Sequence, residues 1–198
     1  MVFLQESVTE AYDMYGAVPR VYNLFHGMRF LRAEAFRALE LSKGQNVLDV
    51  GCGTGINFSR MLHEIGDSGS ILGVDISRRM AAEALKVSRG WGTVDVECGD
   101  GVNFELGECI FDRALSFLSL SCVPNHLLAI ENVFRSLRKG GRFVIVDGKK
   151  FNSKYLNLVL PLMRWNKSWD KEKDLLGDVQ RHYAQEIRVI KEYSLGSN

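Results

Sequence analysis

The sequence predicts an α/β protein: a Rossmann-like, doubly wound, mostly parallel sheet with helices on both faces. Two observations carry that expectation. Short runs rich in Val, Ile, Leu and Phe recur along the chain, and stretches with helical spacing separate them. The first clear run, NVLDV (46–50), opens directly into GCGTG (51–55), with three glycines at alternate positions ahead of a helical stretch. Alternation of strand and helix signals argues for helices packed on both sides of one sheet.

Taken in order, the chain begins with a helical section over about 8–41, rich in aromatics: Tyr12, Tyr15, Tyr22, Phe25, Phe30 and Phe36. Strands are expected at NVLDV (46–50), ILGVDI (71–76), VDVEC (94–98), FDRALSF (111–117) and FVIVD (143–147), each buried on both faces. Phe58, Met61, Leu62 and Ile65 mark a helix after the first strand. Leu127, Ile130, Phe134 and Leu137 form a second helical stripe, with Pro124 in its first turn. Gly140-Gly141 is expected to end that helix and turn the chain into FVIVD. The stretch FNSKYLNLVLPLMRWNKSWDKEKDLL reads as helix interrupted at Pro161, and a strand is expected at about 186–193. No second apolar run follows that strand, which is expected of either a truncated chain or a sheet without its antiparallel C-terminal edge strand, the latter leaving an open edge. The chain reads as one domain over 1–198, with a helical section (1–41), a core (42–150) and a C-terminal helix and strand (151–198).

Composition narrows the classes. A chain of 198 residues suits one domain with a sizeable core. Formal net charge is +1 and basic residues are spread along the chain, so no nucleic-acid partner is expected. The basic run RSLRKGGR (135–142) reads as a helix end whose Lys and Arg complement the helix dipole. The four cysteines, Cys52, Cys98, Cys109 and Cys122, form no CxxC pair, and no His cluster has metal-ligand spacing. Reduced thiols and no metal site are therefore expected. The N-terminal MVFLQESVTEAYD carries acidic residues and no long apolar core, which does not read as a signal peptide. No window approaches the roughly 20 apolar residues of a membrane span. A cytoplasmic protein is expected, with peripheral membrane contact left open.

The glycines point to a ligand. They let the backbone turn tightly and approach a ligand without Cβ atoms in the way, and the helix behind them offers free N–H groups to a negatively charged ligand group. A dinucleotide fingerprint GxGxxG would need a small residue at 56, where the chain has Ile56. The third glycine instead comes early, at Gly55.

That spacing within VLDVGCGTG resembles the first motif of class I S-adenosylmethionine-dependent methyltransferases, and the resemblance runs over about 8–195. It implies S-adenosylmethionine as cofactor, with Gly51, Cys52, Gly53 and Gly55 in the binding loop and Asp49 near the cofactor's charged end. Cys52 is expected to be a small filler and not a nucleophile. GVDIS (73–77) resembles the second motif, which implies that Asp75, followed by Ile76, receives both ribose hydroxyls. CGDG (98–101) resembles the third, implying Asp100 at the adenine amino group with Val102 nearby. FDRALSFLSLSCVPN resembles the fourth-strand segment, whose end lies beside cofactor and substrate, which adds Ser116. LRKGGRFVIVD resembles the family's LKPGG turn before the fifth strand, with Arg138-Lys139 in place of Lys-Pro.

YDMYGAVPRVYNLFHG (12–27) resembles the N-terminal lid of the ubiquinone/menaquinone C-methyltransferases and of related bacterial phosphatidylethanolamine N-methyltransferases. By that resemblance Tyr12 and Tyr15 close over the cofactor, and Tyr22 and His26 are substrate-side groups. His126 joins Tyr22 and His26 as a candidate base, because imidazole titrates near neutrality. The resemblance implies methyl transfer to a small-molecule acceptor. The apolar, Trp-containing stretch 155–169 and the lid motif make that acceptor apolar or lipid-like, a quinone or a phospholipid amine. That stretch reads equally as a packed helix, a pocket wall or a membrane-facing surface. Three rivals stand beside this reading: a non-enzymatic S-adenosylmethionine-binding protein, a nucleotide-dependent oxidoreductase, and a methyltransferase acting on nucleic acid or protein.

Overall fold

A computed structural model of the chain describes residues 26–99, 105–148 and 174–183, with side chains from Arg29 onward in the first of these. Helix α1 (His26–Leu39) leads into β1 (Asn46–Val50), α2 (Phe58–Ile65), β2 (Ser70–Asp75), α3 (Arg78–Val87) and β3 (Val94–Cys98). The described chain then continues through β4 (Phe111–Phe117), a 3-10 turn at Leu120–Cys122, α4 (His126–Ser136), β5 (Leu137–Val146) and α5 (Leu175–Tyr183). The strands form one parallel sheet in the order β3-β2-β1-β4-β5. The order reverses at β1 and β4, which is where open α/β sheets bind ligands at the carboxyl ends of their strands.

Strand periodicity sorts the core into two layers. Val47, Ile71, Leu115 and Phe117 pack against Phe36 and Leu39 of α1, Phe58, Met61 and Ile65 of α2, and Ala84 of α3. Leu48, Val50, Val74 and Ala114 turn to the other face, against Val133 of α4. Near-continuous apolar strands are what a sheet covered on both faces requires. The helix marked by Phe58, Met61 and Ile65 buries those three side chains, as its spacing predicts.

Four expectations need correction. Neither VDVEC nor FVIVD is buried on both faces: every residue of FVIVD is only partly covered, with β5 at the other end of the described sheet. Strand β3 lies at the end of the sheet, and only Val94 is buried while Asp95, Glu97 and Cys98 are exposed. The second helical stripe does not reach Leu137, because α4 ends at Ser136 and Leu137 is already extended. Pairing of Leu137 with Phe111, and burial of both in one cluster, captures the residue for the sheet. The buried face of α4 is thus Ala129, Ile130 and Val133, with Leu127 and Phe134 only partly covered. Gly140-Gly141 consequently does not end the helix. Phe111 pairs with Leu137 but Arg113 already with Arg142, so β5 bulges over 138–141, with Gly140 at φ 81. Pro124 lies outside the first turn, just ahead of the N-cap Asn125, whose side chain accepts from the Leu128 N–H at 3.3 Å.

The basic run 135–142 has a different role from the one its position suggests. Only Arg135 sits in the last turn of α4. Arg138 pairs with both oxygens of Asp112 at 3.0 Å. Arg142 donates to the Ala38 carbonyl at 2.5 Å and to Glu40 at 2.8 Å, while Arg113 Nε donates to the Leu39 carbonyl at 2.7 Å. These guanidinium groups cap the orphan carbonyls at the end of α1 and tie that helix to β4 and β5. The expected strand at 186–193, its missing edge partner and the helix about Pro161 lie outside the described residues. Among the described residues no helix is long and apolar enough to cross a membrane.

Candidate functional site

The carboxyl end of β1 enters a loop whose glycines all hold left-handed backbone: Gly51 at φ 69, Gly53 at 57 and Gly55 at 73. Two of the three are required by contact as well. A Cβ on Gly51 would stand 2.3 Å from Cβ of Ser119, and one on Gly55 would meet the Phe58 ring at 2.7 Å and Cα of Ala84 at 3.3 Å. Gly55 therefore lets the loop pack closely against α2 and α3, and Ile56 is left partly exposed. The N–H groups of Gly51 and Cys52 both donate to the Val74 carbonyl, at 2.7 and 3.1 Å, which lashes the loop to β2.

Asp75 ends β2 and is buried. Its Oδ2 accepts from the Gly53 N–H at 2.8 Å and its Oδ1 from the Ser77 N–H at 2.9 Å. One carboxylate thus joins the glycine loop to the start of α3, where Ser77 also caps the Met80 N–H. A carboxylate oxygen can accept more than one hydrogen bond, which is the capacity a cis-diol draws on.

Asp49 faces the same loop from inside β1, and none of its surface is exposed. Asn57 Nδ2 donates to its Oδ2 at 3.2 Å, while Oδ1 has no partner among the described residues. Burial pushes the carboxyl from its ordinary 3.8 up to about 7; the Asn57 hydrogen bond and the Arg32 guanidinium pull it down, and Asp75 adds to the rise. A buried carboxyl with an orphan oxygen, beside a backbone cradle that excludes Cβ atoms, suits a ligand that brings a positive group. Cys52 is buried, and burial together with Asp49 and Asp75 pushes its thiol well above the ordinary range. A thiol held neutral is a poor nucleophile.

Ser116 and Ser119 complete the floor. Ser119 Oγ donates to the Val50 carbonyl at 2.9 Å, leaving Ser116 to donate to Ser119 at 2.7 Å. Leu118 between them takes φ 58 and donates its N–H to the Val146 carbonyl at 2.7 Å. Beyond them Asp147 accepts from the Ser121 N–H at 2.9 Å, its Oγ–H at 2.7 Å and the Gly148 N–H at 2.8 Å. This half-buried carboxyl, pushed up by desolvation, pins the segment after β4. Asn57, Ser119 and Asp147 were not singled out from sequence, since each acts through a tertiary contact that no local pattern encodes.

The structure therefore brings Asp49, Gly51, Cys52, Gly53, Gly55, Asp75 and Ser116 together, with Ile76 following Asp75. His126 stands apart from the loop's hydrogen bonds: it begins α4, is buried, and its Nε2 lies 2.9 Å from Asp178 of α5. Tyr12, Tyr15, Tyr22, Asp100 and Val102 lie outside the described residues, as does the side chain of His26. A cleft of about 560 Å³ lined by Leu62, His63, Trp91 and Thr93 shares no residue with this constellation. Among the described residues no His, Cys, Asp and Glu cluster has the makeup of a metal site.

A parallel sheet switching direction at a GxGxG loop, with an acid closing the second strand, defines a class I S-adenosylmethionine-dependent methyltransferase fold. The chain belongs to the methyltransferase domain family, which it matches over residues 41–188. It is similar to the demethylmenaquinone methyltransferase of Listeria welshimeri, 28% identical over 123 residues that cover 61% of this chain and 52% of that protein. It thus spans about half the length of that relative. A S-adenosylmethionine-dependent methyltransferase from Aquifex aeolicus superposes with a TM-score of 0.57 at 19% identity, over 66% of this chain and 77% of that one. The phosphoethanolamine N-methyltransferase 1 of Haemonchus contortus, solved with phosphoethanolamine and S-adenosylhomocysteine, gives 0.64 at 16%, over 75% of this chain and 33% of that one.

Proposed function

We propose that this chain transfers the methyl group of S-adenosylmethionine to a small-molecule acceptor of apolar or lipid-like character, a quinone or a phospholipid amine. The observation that carries the reading is Asp75, buried at the carboxyl end of β2 and bonded to the N–H of Gly53 in the glycine loop. Kinship with a demethylmenaquinone methyltransferase supports a quinone-like acceptor. The expected lid over 12–27 and the apolar stretch 155–169 support it from the sequence side.

When bound, the cofactor supplies an activated methyl group on a sulfonium, so the acceptor needs alignment more than activation. The residues here serve that need. Gly51 and Gly55 keep the loop free of side chains, Asp75 fixes the adenosine through its ribose, and Asp49 offers a carboxylate to the charged methionine end. The Ser116–Ser119–Val50 chain of hydrogen bonds holds the loop and the end of β4 in one geometry.

Calorimetric titration tests the reading, with S-adenosylmethionine against NADH, on wild type and Asp75→Ala. Binding of the first ligand alone, weakened at least about ten-fold in the variant, is expected because a charge-assisted pair is lost. The cofactor-loaded protein is then assayed with quinone, phospholipid and small-amine acceptors. Turnover only of water-soluble amines would remove the lipid-like acceptor. Binding without turnover of any acceptor class would favour a binding protein.

A further inference from the structure

Helix α2 has a second face as regular as its apolar one. Phe58, Met61 and Ile65 turn inward, while Ser59, Leu62 and His63, three and four residues apart, share the wall of the cleft of about 560 Å³. Asp67 stands just past the end of the helix, and Trp91 and Thr93 close the other side. The floor is apolar, since Leu62 and Trp91 are partly buried and pack on the core cluster beneath. Gly90, at φ 92, and Gly92 flank the indole. A Cβ on either would meet nothing within 4 Å, so neither chain neighbour covers the ring.

The rim is polar, and the protein does not bond it. Among the described residues, the side chains of Ser59, His63, Asp67 and Thr93 have no hydrogen-bond partner, and no Lys, Arg or His lies within ion-pair distance of Asp67. Lys43 reaches this end of α2 but donates to the His63 carbonyl at 3.1 Å. Asp67 is therefore the one full charge lining the cleft. An anion is disfavoured there, and a wholly apolar ligand would cover four polar groups without bonding them. One carboxylate is too small a ligand set for a metal ion. An indole beside a carboxylate instead attracts an organic cation, the ring through its quadrupole and the carboxylate as counter-ion. The volume falls within the range of ligand pockets, roughly 300–1,000 Å³.

We propose that this cleft is a second binding site, for an organic ammonium ion held between the Trp91 indole and the Asp67 carboxylate. Ser59, His63 and Thr93 offer hydrogen-bond partners to polar substituents of the ion. The site shares no residue with the glycine loop or with Asp75, and it stands independently of the cofactor reading. Free amines and lipid head groups carry the same ammonium chemistry, and the test separates those two sources.

Calorimetry on the full chain compares choline with its neutral isostere, in which carbon replaces the ammonium nitrogen. Choline is expected to bind with a Kd on the order of 1 mM, and the isostere at least about ten-fold more weakly, because it lacks the charge that both groups recognise. Asp67→Asn should weaken choline roughly three- to five-fold and leave the isostere within about two-fold, as for an exposed charge pair. Asp67 is exposed, so this variant should melt like wild type. Trp91→Phe keeps an aromatic floor and should remove the choline-dependent change in tryptophan emission, leaving Trp165 and Trp169 as the remaining emitters. Choline binding should persist when S-adenosylhomocysteine saturates the protein. Sedimentation with phosphatidylcholine vesicles that Asp67→Asn reduces would identify a lipid head group as the source; choline binding without it would identify a free amine. Four results would each overturn the proposal: no choline binding or equal affinity for the isostere, undiminished binding in Asp67→Asn, an emission change that survives in Trp91→Phe, or displacement of choline by S-adenosylhomocysteine. Failure to bind S-adenosylhomocysteine would instead overturn the cofactor reading and leave this site standing.

Discussion

Asp49 is the titrating group of the loop, and its environment sets a sign that experiment can read. Burial pushes its carboxyl up to about 7, so near neutrality the protein carries it partly protonated. A positively charged ligand end selects the ionised form, so binding below pH 7 must release a proton. Cofactor affinity should therefore rise by up to ~10-fold per pH unit on approaching 7 from below and level off above it. Asp49→Asn should bind more weakly with a flat profile over the same range. Calorimetry in buffers of different ionisation enthalpy measures the released proton directly, and an equal slope in the variant would assign the titration elsewhere. For the empty protein the sign is opposite. A raised carboxyl pKa favours the neutral form in the fold, so its stabilising contribution is complete below the ordinary value of 3.8 and is lost as pH rises through about 7. Much of this site was legible in the sequence, because Asp49, the three glycines and Asp75 sit at strand ends that local pattern locates.

The elements owe their positions to contacts of long sequence separation, and α1 shows how. Its last carbonyls are capped from across the sheet, by Arg113 of β4 at Leu39 and by Arg142 of β5 at Ala38. Glu40 follows at φ 49, a strained backbone for a residue with a Cβ, and Arg142 holds it from outside. The exposed Arg142–Glu40 pair is screened by water and contributes little by itself. Arg113→Met keeps the stem but leaves the Leu39 carbonyl without its donor, and should cost about 1–2 kcal/mol. Urea unfolding midpoints measure the loss, and faster amide exchange confined to the last turn of α1 would locate it. An unchanged midpoint would mean that water caps the carbonyl equally well. The sequence could not show this arrangement, since RSLRKGGR satisfies a helix-end pattern whether or not the helix has already stopped. Leu137 has helical spacing from Leu127, Ile130 and Phe134, and strand pairing with Phe111 overrides it. The edge position of β3 is hidden for the same reason: VDVEC looks like its neighbours until the sheet order leaves it last.

Helix α5 joins residues 175–183 to the segment that follows the candidate site. Leu175 packs with Leu120, Ala129 and Ile130, and Tyr183 lies 4.9 Å from Phe134, centre to centre. His126, at the head of α4, closes the contact through Asp178, whose carboxyl is held low first by Arg181 and then by His126. Sequence pattern gave no strong sign of this helix, because Leu175 is its one buried side chain and the rest of its surface is mixed. If α5 docks as part of one cooperative unit, the Phe134–Tyr183 contact must contribute to global stability and not only to local order. A double-mutant cycle of Phe134→Leu and Tyr183→Leu measures that contribution free of the separate burial losses. A coupling of about 1 kcal/mol in the global unfolding midpoint is expected for an aromatic pair at this distance. Zero coupling, with both single variants melting like wild type, would mean that α5 detaches before the sheet unfolds. The segment after β4 would then be held chiefly by Asp147 and Ser121, and His126 would be free to meet an acceptor. Full coupling instead keeps His126 engaged with Asp178 whenever the sheet is folded, which assigns it to structure and directs the search for a catalytic base elsewhere.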